Sequence, residues 1–219
     1  MTNLAPRRPA THGESALVVI DLANDFVFAG GTIADAGGPA YQARAQAVVP
    51  TLKRLVEAAR RVGVTVVYAT DAHLPGDDEL RKWPPHAMKG TPQADIVADL
   101  RPRRGDVVIE KRTYSPFVST DIHEQLRGRG IRRLYVTGLH TDCCARHTSG
   151  DAFQRGYELV WITDALEAFT DEAHRQGLEY FRAWYAADAD RQLKTAAEVI
   201  GEWNDEPDAA PMERRAPRA

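Results

Sequence analysis

Short apolar runs alternate with helical patterns along most of the chain. Continuous apolar runs typical of buried strands occur at 16–21, 64–70, 106–110, 134–137 and 158–163. Between them, apolar residues recur at helical spacing, most clearly at 39–61, where Gly63 marks the end. We predict further helices at 92–100, 120–129, 143–155, 171–187 and 196–203, and an edge strand at 191–195.

Strands that alternate with helices indicate βαβ units and a parallel sheet. We therefore predict an α/β domain, a three-layer α/β/α sandwich around a mostly parallel sheet of about six strands. It should span residues 15–204 of the 219. Residues 1–14 and 205–219 are rich in proline, arginine, glutamate and alanine and lack apolar periodicity. We expect both segments to be disordered tails.

Composition narrows the class of protein. With 43% hydrophobic residues, 27% charged residues and a net charge of −3, nothing indicates binding to nucleic acid or to a membrane. No run of 18 apolar residues occurs, and the first fifteen residues lack the apolar core of a signal peptide. The only two cysteines are adjacent, which excludes a long-range disulfide framework. We expect a soluble cytoplasmic protein, with homo-oligomerisation left open.

Polar residues with catalytic or metal-binding potential follow the predicted strands. Asp21, Asp71, His73, Lys111 and Cys144 all lie at or just past the end of a strand. Ligands of parallel sheets bind beyond the carboxyl ends of the strands. These five residues are therefore candidates for one site, although the sequence does not say which strands are neighbours.

The thiol of Cys144 is a candidate nucleophile. Gly138 breaks the preceding strand, Thr141 and Asp142 favour a helix N-cap, and the helix should begin near Cys143. Free N–H groups and the helix dipole lower a cysteine pKa from about 8.5 towards roughly 3.5–7.5. They also favour an oxyanion. By position alone, a buried cysteine that packs as a small apolar side chain remains the alternative.

Two charged residues complete a plausible acid–base set. Asp21 ends an apolar strand, and partial desolvation there would raise its pKa and suit a general base. Lys111 would lower the pKa of both the thiol and the carboxyl group if it lay between them. The alternatives are a carboxylate that caps the next loop and a lysine exposed in a loop.

Three motifs carry a resemblance to a known family. They are Val18–Phe26, Glu110–Ser115 and Val136–Cys144, the last followed by Asp151-Ala152 and Gly156-Tyr157. In this order and at these separations, the chain resembles the isochorismatase-like cysteine hydrolases, and among them the nicotinamidase-type amidases. The resemblance covers residues 16–200.

The resemblance implies a catalytic triad in which Asp21 is the base, Lys111 the organising ammonium and Cys144 the nucleophile. It selects Cys144 over Cys143, which we expect to serve in packing. It also implies a cis peptide bond before His140, so that the backbone N–H groups of His140 and Cys144 hold the oxyanion. His140 stands where we expect a small residue.

A second set of residues suggests a metal. Asp71 and His73 lie at i and i+2 of a strand, and His86 follows Trp83-Pro-Pro. Two histidines and an aspartate suit Zn, Fe or Mn. By resemblance, such a divalent metal, with zinc as our first choice, holds the pyridine nitrogen of the substrate while Trp83 packs on its ring.

Several details of this second set stay open. Phe26 and Tyr114 are expected to line the substrate pocket with Trp83. Asp78 or Glu79 would supply a further metal ligand, and an ionic loop without metal is the alternative.

The resemblance implies hydrolysis of the C–N bond of a small amide, with nicotinamide as the leading substrate. Ureido acids, carbamoyl amino acids and lactam-type antibiotics such as a streptothricin remain open. Two other classes are an isochorismatase-type ether hydrolase and a non-catalytic module that senses metal or thiol reagents. Cys144 and the Asp/His/His set argue against the ether hydrolase.

Overall fold

The computed structural model describes residues 8–205, which form a six-stranded sheet in the order β3-β2-β1-β4-β5-β6. All neighbouring strands are parallel. The strands are β1 Ser15–Ile20, β2 Thr65–Asp71, β3 Val107–Lys111, β4 Arg133–Leu139, β5 Glu158–Glu167 and β6 Leu193–Lys194.

Helices cover both faces of the sheet. They are α1 Asn24–Val27, α2 Thr32–Val62, α3 Ile122–Gly128, α4 Cys144–Gln154, α5 Asp171–Trp184, α6 Ala189–Gln192 and α7 Ala196–Asp205. Alternate residues of β1 point to opposite faces: Leu17 and Val19 pack with α2 and α7, whereas Val18 and Ile20 pack with α3, α4 and α5. The predicted three-layer sandwich is confirmed.

The segment 92–100 was wrongly predicted to be a helix. It contains two 3₁₀ turns, Pro92–Ala94 and Ala98–Leu100, separated by extended residues. Ile96 pairs with Ala23, and the N–H of Val97 donates to the carbonyl group of Leu22 at 2.9 Å. The backbone therefore finds hydrogen bonds with the loop after β1, which local helical spacing does not reveal.

Two further boundaries differ from the predicted ones. The helix predicted at 39–61 begins at Thr32 and bends at Gly38, whose φ of 74° is the left-handed conformation that glycine tolerates. Residues 8–14 were assigned to the N-terminal tail, yet Ala10 is buried and His12–Glu14 form a 3₁₀ turn. The tail predictions for 1–7 and 206–219 fall outside the described residues. Among residues 8–205, no helix combines the length and apolarity required to cross a bilayer.

The topology places a crevice at the carboxyl ends of β1 and β4. From β1 the chain builds β2 and β3 on one side and β4, β5 and β6 on the other, so the strand order reverses there. Gly138 of β4 pairs with Ile20 of β1, and a Cβ at Gly138 would lie 2.1 Å from the Ile20 carbonyl oxygen. Glycine therefore permits the close approach of the two strands at this point.

Candidate active site

Three strand ends and the start of a helix bring the predicted catalytic triad together with Asp71, a predicted metal ligand. Asp21 follows β1, Asp71 ends β2, Lys111 ends β3 and Cys144 begins α4 after β4. The Nζ of Lys111 lies 2.8 Å from Asp21 Oδ2, 2.5 Å from Asp71 Oδ1 and 4.0 Å from Cys144 Sγ. All four residues are buried. The central lysine is thus surrounded by two carboxylates and the thiol.

Burial and charge determine which of these groups can take up a proton. Burial and the charge of Asp71 raise the pKa of Asp21 to about 7, although Lys111 opposes the shift. Although burial disfavours its ammonium form, Asp21 and Asp71 raise the pKa of Lys111 well above its usual range. Lys111 also lowers the pKa of Asp71 against the effect of burial. One cation therefore faces two carboxyl groups, and Asp21 is the one that accepts a proton near neutrality.

The two thiols differ from the sequence-based expectation. A hydrogen bond with Cys143 and burial raise the pKa of Cys144 well above its usual value, and Lys111 offsets this only in part. Cys143 is half-buried, and its hydrogen bonds with Cys144 and His147 lower its pKa to about 6. As a nucleophile, Cys144 would therefore first have to pass its proton to a base.

The loop before α4 has the predicted backbone geometry. The Leu139–His140 peptide bond is cis, and α4 begins at Cys144, whose N–H therefore has no intrahelical acceptor. The N–H of Cys143 donates to the carbonyl of His140 at 3.1 Å.

Helix α5 supports the same loop from outside. The Oγ1 of Thr141 lies 2.8 Å from Nδ1 of His174 in α5. A Cβ at Gly177 would lie 2.8 Å from Cγ2 of Thr141 and 3.0 Å from the Asp142 nitrogen, so α5 packs directly on the loop only because residue 177 is glycine.

The predicted metal ligands also converge. One ligand atom from each of Asp71, His73, Glu79 and His86 lies within 4.8 Å of the others. The Nδ1 atoms of His73 and His86 interact with Asp77 Oδ2 at 3.1 Å and with the Pro84 carbonyl at 2.8 Å. Partners of this kind orient metal-binding histidines.

This arrangement fits a divalent metal. Asp71 Oδ2 and His73 Nε2 are buried and have no hydrogen-bond partner within residues 8–205. Such atoms are costly to bury unless a cation binds them. Burial and the charge of Asp71 also raise the pKa of Glu79 to about 8, and Lys111 and His73 offset this shift only in part.

The structure decides between the two acids left open by the sequence. Oε1 of Glu79 lies 3.8 Å from Nε2 of His86, whereas Asp78 is exposed and pairs with Arg81. Sequence analysis missed Asp77, which contacts His73 and forms an ion pair with Arg112. No local motif distinguishes Asp77 from the acids beside it.

A cavity of about 330 Å³ connects Cys144 with the metal-ligand cluster. Phe26, Trp83 and Tyr114 line it, as predicted, and the Trp83 indole N–H donates to the Tyr114 hydroxyl at 3.2 Å. Sequence analysis missed Phe169, which stacks with Trp83 at a centroid distance of 6.0 Å. Its position two residues after β5 was the available signal, because ligand-binding residues cluster at strand ends.

Comparison with known proteins agrees with this architecture. Residues 15–192 match the model of the isochorismatase domain. An uncharacterised isochorismatase-family protein, PncA of Bacillus subtilis, is 34% identical over 77% of this chain and 94% of its own length. The ureidoacrylate amidohydrolase RutB of Variovorax paradoxus is 31% identical over 82% of each chain.

Solved structures give the same picture. N-carbamoylsarcosine amidase from Thermoplasma acidophilum aligns with a TM-score of 0.72 and 33% identity over 90% of this chain and 99% of its own. Nicotinamidase PncA from B. subtilis aligns with a TM-score of 0.72 and 30% identity over 83% of this chain and 99% of its own. Pyrazinamidase of Pyrococcus horikoshii in complex with zinc aligns with a TM-score of 0.67 and 27% identity over 83% of this chain and 98% of its own. The chain therefore belongs to the isochorismatase family of hydrolases.

Proposed function

We propose that this protein hydrolyses the C–N bond of a small, uncharged aromatic amide, with nicotinamide as the leading substrate. The observation that carries the proposal is the cavity that joins the Cys144 thiol to a four-residue metal-ligand cluster between aromatic walls. Similarity to amidohydrolases and to a nicotinamidase supports it.

The charge of the cavity favours an uncharged substrate. Among the described residues that line it, none is an arginine or lysine, whereas Asp71, Glu79 and Asp142 are acidic. Lys111 lies behind the thiol, has no exposed surface and is already paired with two carboxylates. A ureido acid or carbamoyl amino acid would therefore bring a carboxylate to a site without a free side-chain cation.

The proposed reaction begins at Asp21. Its carboxylate accepts the proton of Cys144, whose sulfur attacks the amide carbonyl carbon while the N–H groups of His140 and Cys144 stabilise the oxyanion. Asp21 then protonates the leaving nitrogen, the C–N bond breaks, and ammonia departs from a thioester. Asp21 next takes a proton from water, the resulting hydroxide attacks the thioester, and the carboxylic acid leaves as the thiol is restored. Lys111 remains an ammonium throughout.

The residues that would hold a divalent metal are Asp71, His73, Glu79 and His86. When bound, such an ion, zinc being our first choice, supplies a Lewis acid for the nitrogen of the aromatic ring. Trp83 and Phe169 provide flat apolar surface beside that ring.

The test measures ammonia release from nicotinamide, benzamide, ureidoacrylate and N-carbamoylsarcosine, with and without a chelator. Benzamide lacks the ring nitrogen, and a site that binds a polar group rejects the analogue without it by about 10⁴–10⁵-fold. A preference of that kind which chelation removes supports the proposal. If the protein instead hydrolysed ureidoacrylate or N-carbamoylsarcosine, the substrate would be a carboxylate-bearing amide and not nicotinamide. Release of ammonia from none of these amides would reject the proposed substrate class.

A further inference from the structure

Two polar side chains, one lining the cavity and the other in contact with it, have no part in the reaction described above. They belong to His140, which follows β4, and to Tyr41 of α2, two residues separated by 99 positions in the chain. The Tyr41 hydroxyl and His140 Nε2 are 2.7 Å apart. Tyr41 is fully buried and His140 is 4% exposed. A histidine stands here instead of the expected small residue, which calls for a physical explanation.

The imidazole is held as part of the aromatic wall. It stacks on Phe169 with a centroid distance of 4.3 Å and an interplanar angle of 14°. Its centroid is also 6.0 Å from that of Phe26, and both phenyl rings line the same cavity. The stack on Phe169 and the hydrogen bond of Nε2 with Tyr41 restrict rotation of the ring and fix the positions of its two nitrogens.

The hydrogen bond joins two neutral groups. Burial, together with the charge of Lys111, lowers the pKa of His140 to about 3, so the imidazole carries no charge at neutral pH. Burial raises the pKa of Tyr41 above its usual value, so the phenol keeps its proton. A neutral imidazole has one N–H and one bare nitrogen.

The surroundings determine which nitrogen carries the proton. Within residues 8–205, the Tyr41 hydroxyl has no hydrogen-bond partner except Nε2 of His140. Each tautomer leaves one donor without a protein acceptor: the Tyr41 hydroxyl if Nε2 carries the proton, or Nδ1–H if Nδ1 carries it. Tyr41 has no exposed surface, so its hydroxyl proton would stay unpaired, which is unfavourable, whereas His140 lines the cavity, where its N–H can bind water or a substrate. Tyr41 therefore donates to Nε2, and the imidazole proton resides on Nδ1. This N–H has no hydrogen-bond partner within the same residues.

We propose that the Nδ1–H of His140 donates a hydrogen bond to the bound substrate and that Tyr41 fixes the required tautomer. His140 also supplies a backbone N–H proposed to bind the oxyanion, so its side chain lies near the scissile carboxamide. The pair would therefore select heteroaromatic carboxamides that carry a ring nitrogen ortho to the carboxamide. This inference rests on the proposed amidase function and defines its substrate class more narrowly.

The test compares nicotinamide with pyrazine-2-carboxamide, which differs by one additional ring nitrogen ortho to the carboxamide. The measured quantity is the kcat/KM for pyrazine-2-carboxamide divided by the kcat/KM for nicotinamide. His140→Phe retains an aromatic ring at the stack but removes Nδ1–H, and Tyr41→Phe removes the hydroxyl that fixes the tautomer. Both variants should lower the ratio by about three- to tenfold, the effect of one hydrogen bond. Tyr68→Phe, which alters another buried tyrosine of the same apolar cluster, should leave the ratio unchanged.

A second measurement needs no turnover. ¹⁵N NMR of the imidazole of His140 in the wild-type protein distinguishes the two tautomers, with assignment by comparison with His140→Phe. A proton on Nδ1 supports the inference, whereas a proton on Nε2 overturns it. An unchanged substrate ratio in both variants overturns it as well. If the wild-type protein hydrolyses neither amide, the proposed function fails, and the tautomer still decides whether the pair is arranged as proposed.

Discussion

Two clusters meet at Asp71, and they are built differently. Asp21, Lys111 and Cys144, the strand-end cluster, lie where backbone ladders of parallel strands terminate. His73, Glu79 and His86, the loop cluster, come from the connection between β2 and β3.

Different interactions hold the two clusters. Sheet hydrogen bonds fix the strand-end cluster, and the register itself pairs Asp71 with Lys111. Individual contacts hold the loop cluster: the N–H of Ala87 donates to Asp25 Oδ2 at 2.8 Å, and the N–H of His73 donates to the carbonyl of Ala87 at 3.0 Å. The sheet therefore positions the groups of the proposed bond-breaking chemistry, whereas the proposed recognition of the substrate depends on a loop, which can vary without changing the sheet.

Asp71 links the two clusters through its two oxygens. Oδ1 accepts from Lys111, while Oδ2 lies 3.6 Å from His73 Nε2 and 3.8 Å from His86 Nε2. If the two clusters have separate tasks, substitutions in one should change turnover and substitutions in the other should change selectivity.

The largest effect should come from the nucleophile. Cys144→Ala should lower kcat by at least about 10⁴-fold, since the covalent route is lost, while Cys143→Ala should retain most activity. Ammonia release under saturating nicotinamide measures both. Equal activity of the two variants would contradict the assignment of the nucleophile.

His86→Ala tests the loop cluster. We expect the preference for nicotinamide over benzamide, about 10⁴–10⁵-fold in the parent protein, to shrink to near unity because a proposed metal ligand is lost. Bound zinc, measured by atomic absorption, should fall in parallel. His123→Ala, in α3 and paired with Tyr157, is the matched control. A preference retained in His86→Ala would place selectivity elsewhere.

Lys111→Met should affect folding stability as well as activity. It leaves Asp21 and Asp71 buried without their cation, and breaking such a pair costs about 3–5 kcal/mol. Denaturant unfolding measures the loss. Lys89→Met, which breaks an exposed pair with Glu110, should cost no more than about 1 kcal/mol. Similar losses of unfolding free energy in the two variants would show that burial does not determine the cost of breaking the ion pair.

The pH dependence follows from Asp21. Its pKa is raised to about 7, and only the carboxylate can take the Cys144 proton. Hence kcat/KM should rise with pH through about 7 and fall about tenfold per unit at lower pH. A profile flat between pH 5 and 8 would show that another group is the base.

The smallest effect concerns the second thiol. Because its pKa is lowered to about 6 and it is half-buried, Cys143 should react with iodoacetamide at lower pH than Cys144, whose pKa is raised. Mass spectrometry of Cys143→Ser and Cys144→Ser, labelled across pH 5–9, separates the two rates. Faster labelling of Cys144 at pH 6 would restore the sequence-based expectation that Cys144 is the thiolate.

The sequence predicted that the strand-end cluster lies at the carboxyl edge of the sheet, because each strand is a continuous apolar run with a polar residue at or just after its end. It could not predict the thiol chemistry in the same way. The helix terminus and Lys111 favour thiolate on Cys144, but the burial of Cys144 and its hydrogen bond with Cys143 have the opposite effect, and both depend on packing.

By itself, the sequence determined the order of the six strands and of the longer helices, apart from the segment 92–100. It also determined the strand-end positions of Asp21 and Lys111 and the candidate ligands His73 and His86. These depend on local periodicity and on residue type. Only the tertiary structure decided that Glu79 and not Asp78 faces the ligands, that Phe169 lines the cavity, and which groups border His140. Those contacts join residues that are far apart in the chain. Packing of the helices and loops against the sheet brings them together, and no local sequence pattern records that packing.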